Sequence, residues 1–238
     1  MRLGLWIAAA FAAYFIKGLC GFANTLVFTS ALSFAYENAV ITPAELLLSY
    51  PSNIIMTFRF RKSVDWRRCL PVAVLSLLGS LVGVFLLKNA GVEPVKRGFG
   101  VLIAVLGAYM LMRLYRPAKR PLGRGLMAGV GVLSGLLSGL YGVGALTGVY
   151  MSGVTADDAS FKANVSCVFA VESTLRVALY ALSGLFTLQT LKTGLLLMPV
   201  MLAGLLLGIR LSRRIPEKPS KALVDVMLIV SGLALALG

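Results

Sequence analysis

Long apolar runs constrain this chain more than any other feature. Eight of them, near residues 3–34, 43–58, 70–87, 98–112, 126–151, 163–186, 190–209 and 222–237, take up most of the 238 residues. Runs approaching or exceeding about 18 apolar residues read as membrane-spanning helices. Only 13% of the residues are charged against 58% hydrophobic, too few to cover a water-facing surface. The segments between the runs are short, so no attached soluble domain is expected. The first run is read as a true span rather than a signal peptide. Arg2 suits the start of a leader, but the apolar run is too long and no polar mature sequence follows it.

The charge balance then finds its place. A net charge of +14 in a soluble protein would suggest nucleic acid. On a membrane protein it fits loop lysines and arginines resting on anionic lipid headgroups. The cysteines, Cys20, Cys69 and Cys167, show no CxxC spacing, so neither a disulfide framework nor a metal knuckle is expected. The chain has no histidine, which removes the commonest metal ligand and the usual proton carrier near neutral pH. No metal, no cofactor and no nucleic-acid partner are therefore expected. An intramembrane enzyme would need a nucleophile with its base, or metal ligands. Isolated intramembrane carboxylates supply neither, so the chain is not read as an enzyme.

The chain reads as a duplication. Setting "FIKGLCGFANTLVFTSAL" over "LLSGLYGVGALTGVYMSG" puts Gly18 on Gly139 and Gly21 on Gly142. Further along, Gly79 meets Gly204, Gly83 meets Gly208, Pro94 meets Pro219 and Gly107 meets Gly232. The expected architecture is an all-α polytopic membrane protein with about eight transmembrane helices in two four-helix repeats. The first helix of each repeat is broken at glycines. Residues 1–116 form the first repeat, 117–125 a basic linker and 126–238 the second repeat. Gly131, Gly135 and Gly139 recur at four-residue spacing, as do Gly79 with Gly83 and Gly204 with Gly208. Small residues at that spacing let membrane helices approach closely.

Interrupted spans at matching places in two halves point to a transport site. A break frees backbone N–H and C=O groups, which are tolerated in a membrane only against protein or a wet cavity. The restarted helix turns its N–H groups and positive dipole end to whatever lies there, and an anion fits. The first break carries Lys17, Gly18, Gly21, Asn24 and Thr25; the second carries Ser138, Gly139, Tyr141, Gly142 and Thr147. Lys17 reads either as a cation facing the anion or as a side chain snorkelling to an interface. In the sixth run, Glu172 and Arg176 are four apart and share a helix face. They are either a self-neutralising pair, or an oxyanion-binding fork with Glu172 carrying a coupling proton. Asn164 opens that run, and Ser52 and Asn53 flank the kink expected at Pro51. Ser52 and Asn53 either line the cavity or satisfy the freed backbone, and Asn164 is a candidate substrate-binding residue.

The whole chain resembles the TauE/SafE family of sulfite exporters, also called the 4-toluene sulfonate uptake permease family. The resemblance rests on the glycine-rich broken first span repeated at mid-chain, on "GFANT" and "GLLSGLYGVG", and on the loop Ser63, Val64, Asp65, Trp66 and Arg67 ahead of Gly79 and Gly83. It departs where Tyr141 stands among the second-half glycines in place of a run of glycines. Asp65 and Trp66 read as a loop charge and an interfacial aromatic anchor. The resemblance implies transport of sulfur-containing anions across a bacterial or archaeal inner or plasma membrane.

The expected function is a secondary transporter for a small anion such as sulfite or a sulfonate. Alternating access would run around a central site between the two broken helices. No P-loop is present, so ATP does not drive it directly. Proton coupling and uniport are both compatible with these residues, as is a homo-oligomer. A passive anion channel and a membrane scaffold subunit stand as the alternatives. The distribution of Lys and Arg slightly favours cytoplasmic termini, and leaves parallel and inverted repeats both open.

Overall fold

A computed structural model describes residues 3–89, 93–115, 132–136, 138, 144–155, 157–216 and separate positions between 218 and 236. Among these residues the regular structure is helical, with no strand. The helices are α1 (Leu3–Cys20), α2 (Asn24–Leu32), α3 (Asn38–Arg59), α4 (Trp66–Asn89), α5 (Glu93–Tyr115), α6 (Ala145–Val154), α7 (Asp158–Leu182) and α8 (Leu188–Ser212). A single 3-10 turn, Arg61–Ser63, joins α3 to the loop before α4. Helical residues 132–136 and 138 precede α6. The expected basic linker, 117–125, lies outside the described residues.

Among the described residues four stretches are long and apolar enough to cross a membrane: Leu3–Cys20, Trp66–Gly83, Asp158–Leu182 and Leu188–Ser212. Gly100–Met112 is a shorter apolar helix. At 22 residues α3 has the length of a span, but Glu45, Ser49, Ser52 and Asn53 make it more polar. The exposed faces are apolar, as lipid contact requires: Leu70, Val74, Leu78 and Leu81 point outward from α4, and Leu188, Leu191, Leu195 and Leu206 from α8. Glu45, Ser49, Ser52 and Asn53 of α3 and Asn164, Ser166, Glu172, Ser173 and Arg176 of α7 turn inward instead. Lys162, read from the sequence as a loop residue, lies inside α7. It is buried and paired with Asp158 at 2.5 Å, one turn before it.

The first span is interrupted as expected. Gly21 takes φ 90° and Ala23 φ 72°, so the chain turns left-handed before α2 begins. Gly21 N–H closes α1 by donating to Lys17 C=O at 2.6 Å. Glycine adopts this conformation freely, whereas a side chain costs about 1–2 kcal/mol there. A Cβ at Gly21 would also press into the Lys162 side chain beneath it.

Glycines set how closely the helices cross. Gly18 of α1 lies against the backbone of Leu205, Gly208 and Ile209 on α8. Gly204 of α8 abuts Phe11 C=O and Phe15 N–H of α1, while Gly79 of α4 abuts Val132 C=O and Leu136 N–H. The alignment that sets Gly18 on Gly139 also sets Phe11 on Val132 and Phe15 on Leu136. The same contact is therefore made twice, between helices at matching places in the two halves. Gly100 of α5 and Gly232 approach each other in a further backbone contact.

This packing leads to a measurable asymmetry among the glycines. Gly208→Leu forces side-chain atoms into the α1 backbone, where overpacking costs about 1–3 kcal/mol or more. It is expected to lower the thermal stability and folded yield of detergent-purified protein. Gly4→Ala, where a Cβ meets nothing within 4 Å, is expected to leave both unchanged or slightly improved. Size-exclusion chromatography with a thermal ramp reads both.

Candidate functional site

Polar side chains inside a lipid-facing bundle need partners, because lipid offers none. Following those partners through the molecule defines the site. Buried Lys17, at the end of α1, donates from Nζ to Asn53 Oδ1 of α3 at 2.5 Å. Its ammonium also lies 5.9 Å from the centre of the Tyr14 ring. Glu45 of α3, fully buried, accepts at Oε1 from Asn24 Nδ2 at 2.6 Å and from Thr25 Oγ1 at 2.8 Å. Both donors stand in the first turn of α2, so Glu45 holds the restarted helix against α3. Tyr14 O–H reaches the same oxygen at 3.4 Å.

A second polar group comes from α7. Arg176 is buried, donating from one guanidinium nitrogen to Tyr180 O–H at 3.1 Å and from another to Ser138 Oγ at 3.4 Å. Its Nε has no partner. Glu172, one turn earlier and also buried, accepts from Ser80 Oγ of α4 at 2.9 Å, and its Oε2 is unpartnered. Among the described residues the close ion pairs are Arg68–Asp65 and Lys162–Asp158. Glu172 and Arg176 share a face but do not pair directly.

The two groups meet at one cleft of about 390 Å³, its open mouth included. Its wall takes Ala23, Asn24 and Thr25 from the α2 restart, Ser49 and Asn53 from α3, and Glu172, Ser173 and Arg176 from α7. Ser138, ahead of α6, and Gly144, at its start, also line it. Phe22, Leu26 and Phe169 form the apolar part. No side chain caps the start of α2, and its first residues line the cleft. The start of α6 is tied differently: Ser134 Oγ accepts from Thr147 N–H at 3.2 Å and contacts Thr147 Oγ1 at 2.7 Å. Chemically the cleft offers a guanidinium, several hydroxyls, two amides and a helix N-terminus to a small oxyanion, and an aromatic wall to an apolar substituent.

Of the residues expected from the sequence, Asn24, Thr25, Asn53, Glu172 and Arg176 line this cleft. Lys17 stands behind it, engaged with Asn53. Gly18 belongs to the α1–α8 crossing, and Gly21 forms the turn itself. Ser52 is buried and donates to Ser49 C=O at 2.7 Å, which serves the backbone of α3. Asn164 is not brought to the cleft. It pins the loop before α4, accepting from Asp65 N–H at 2.7 Å and donating to Ser160 C=O at 2.7 Å. That loop is further held by Arg68, which donates to Val154 C=O at the end of α6. Gly139, Tyr141 and Gly142 lie outside the described residues.

Glu45 was passed over in the sequence. The signal was available: a carboxylate inside the apolar run 43–58 calls for the same explanation as Lys17. Ser49, Ser80, Ser173 and Tyr180 carried no such signal, because a lone hydroxyl in a membrane helix satisfies itself on its own backbone.

Lys17 is thus expected to act as a support. Replacing it with Met leaves Asn53 Oδ1 without its buried donor, which costs about 1–3 kcal/mol. The Lys17→Met protein should melt several degrees lower while still binding the anion that wild type binds. Parallel thermal and binding assays check both halves of that statement.

Residues 6–235 match the family model described as "Sulfite exporter TauE/SafE". No curated protein and no solved structure matches the chain.

Proposed function

We propose a transport mechanism from one premise: the chain belongs to the sulfite exporter TauE/SafE family. It is a membrane protein of a transporter family, and family membership implies a sulfite or related anion as cargo. The finer reading is ours. The chain is a secondary transporter that binds one small sulfur oxyanion or sulfonate in the cleft between the two interrupted helices. It exposes that cleft alternately to the two sides of the membrane.

The observation that carries this reading is the lining of the cleft at Arg176. Thr25 from the start of α2 and Ser138 from the segment ahead of α6 line the same cleft as a buried guanidinium whose Nε has no partner. A buried donor left open is costly unless something occupies it. An oxyanion supplies acceptors in the geometry that a guanidinium fork matches. The N–H groups at the start of α2 add to the same potential.

The layout of two four-helix repeats, about eight spans in all, is supported by the glycine contact made twice: Gly204 against Phe11 and Phe15, and Gly79 against Val132 and Leu136. Rocking one repeat against the other would open the cleft to either side. The interlocked loop of Asp65, Arg68 and Asn164 would then hold one end of the bundle closed. A proton is the simplest coupling ion, and Glu172, which lines the cleft beside Arg176, is one carboxylate able to carry it.

The test is flux of radiolabelled sulfite into proteoliposomes, with two organosulfonates as competitors. Wild type should show saturable uptake. Arg176→Gln should cut it about 10- to 100-fold, the range expected when a buried charged donor is lost from a charge-assisted hydrogen bond. Arg176→Lys, which keeps the charge without the fork, should fall between the two. Unsaturable conductance would favour a channel, and no flux of any tested anion would favour a scaffold.

A further inference from the structure

Among the described residues, two buried cations and two buried carboxylates stand at the cleft or directly behind it, Lys17 and Arg176, Glu45 and Glu172; Lys162, also buried, is paired with Asp158, and buried Asp225 does not line the cleft. Taken as ionised, the four at the cleft sum to zero. Adding an anion leaves a buried net charge, which is costly in this surrounding. The balance is restored if one carboxylate takes a proton as the anion enters.

The two carboxylates are not equivalent in this respect. Glu172 has Arg176 one turn away on its own helix, so its counter-charge moves with it. Glu45 has no basic residue on α3 before Arg59 at the helix end. Its counter-charges sit on other helices, Lys17 on α1 and Arg176 on α7. Lys17 points its ammonium at Asn53, not at Glu45. Arg176 is the group an arriving anion would engage. Tyr14 of α1 faces Glu45 with a hydroxyl, and Asn24 and Thr25 of α2 with neutral donors. From α8, which also packs on α3, Lys192 and Arg210 are both exposed and bring no charge inward. An anion engaging Arg176 therefore bears on both carboxylates, but only for Glu45 does neutralisation also depend on how the other helices sit against its own, because its counter-charges lie on α1 and α7.

Glu45 also has the vacancy for a proton. Its Oε1 is crowded with donors, while its Oε2 is buried and unpartnered. A sodium ion there would need several further oxygen ligands, yet the neighbours present an amide N–H, hydroxyl hydrogens and a nearby ammonium. A proton needs only the one free oxygen. We propose that Glu45, rather than Glu172, binds and releases the proton that accompanies the anion, and so couples the charge of the cleft to the restarted helix α2.

This rests on the transport reading above, and the experiment separates the two. Proteoliposomes are loaded with sulfite for equal-pH counterflow of radiolabelled sulfite, and separately given an inward proton gradient for net accumulation. In Glu45→Gln, which keeps an acceptor for Asn24 and Thr25, counterflow should stay within about twofold of wild type while gradient-driven accumulation falls at least about tenfold. Glu172→Gln should keep its gradient dependence. Full gradient-driven accumulation by Glu45→Gln overturns the proposal, as does its loss in Glu172→Gln alone. Absence of sulfite flux in wild type contradicts the transport reading instead. In that case an infrared pH titration of the folded, detergent-purified proteins decides the fate of Glu45. A carboxyl band that comes and goes with pH in wild type and Glu172→Gln, and vanishes in Glu45→Gln, supports proton exchange there. Its persistence in Glu45→Gln overturns it.

Discussion

Everything polar in this bundle follows from the interrupted first span. Ending α1 at Cys20 and restarting at Asn24 leaves backbone groups open in surroundings that offer no water. The side chains around the break are polar in turn, and helix α3 supplies their partners: Glu45 accepts from the side chains of Asn24 and Thr25, and Asn53 from Lys17. Those inward polar groups are why α3 is less apolar than the outer helices, and why its lipid-facing residues alone would not announce a span. The interruption thus determines which helices surround it, and their polar faces make the cleft.

The two halves answer the same demand with the charges exchanged. Lys17 and Ser138 occupy aligned places, each just before one of the aligned glycines Gly18 and Gly139. In the first half the cation lies on the broken helix and its acceptor, Asn53, on the helix beside it. In the second the hydroxyl of Ser138 lies on the segment ahead of α6 and the cation, Arg176, on the neighbour. Lys17 donates to Asn53 behind the cleft, whereas Arg176 lines it and keeps Nε open. This difference gives the cleft a preferred point for an anion, and it separates a supporting residue from a binding one.

Much of this was legible in the sequence, because periodicity and glycine spacing report on helices and on close crossings. The break at Gly21, the inward placing of Glu172 and Arg176 and the inward placing of Asn53 could all be read from residue type and position. What failed did so for physical reasons. Asn164 looked like a cavity residue because it opens an apolar run, but α7 begins six residues before it, at Asp158, and places it beside the loop at Asp65. Lys162 looked like a loop residue, yet a salt bridge one turn long lets it stay buried. Lys17 was readable as a buried charge but not as a partner of Asn53, because that contact spans helices whose relative rotation sequence spacing does not encode. Glu45 required only that every charge in an apolar run be asked for its partner.

The central claim is that both interruptions build a single binding site. A double-mutant cycle on sulfite affinity tests it most directly, pairing Thr25→Val at the first break with Ser138→Ala at the second. If one anion spans both breaks, each change weakens binding and the two together depart from additivity by about 0.5 kcal/mol or more. Strictly additive effects, or binding untouched by Ser138→Ala, would mean that the second break does not share the site, and would contradict the account.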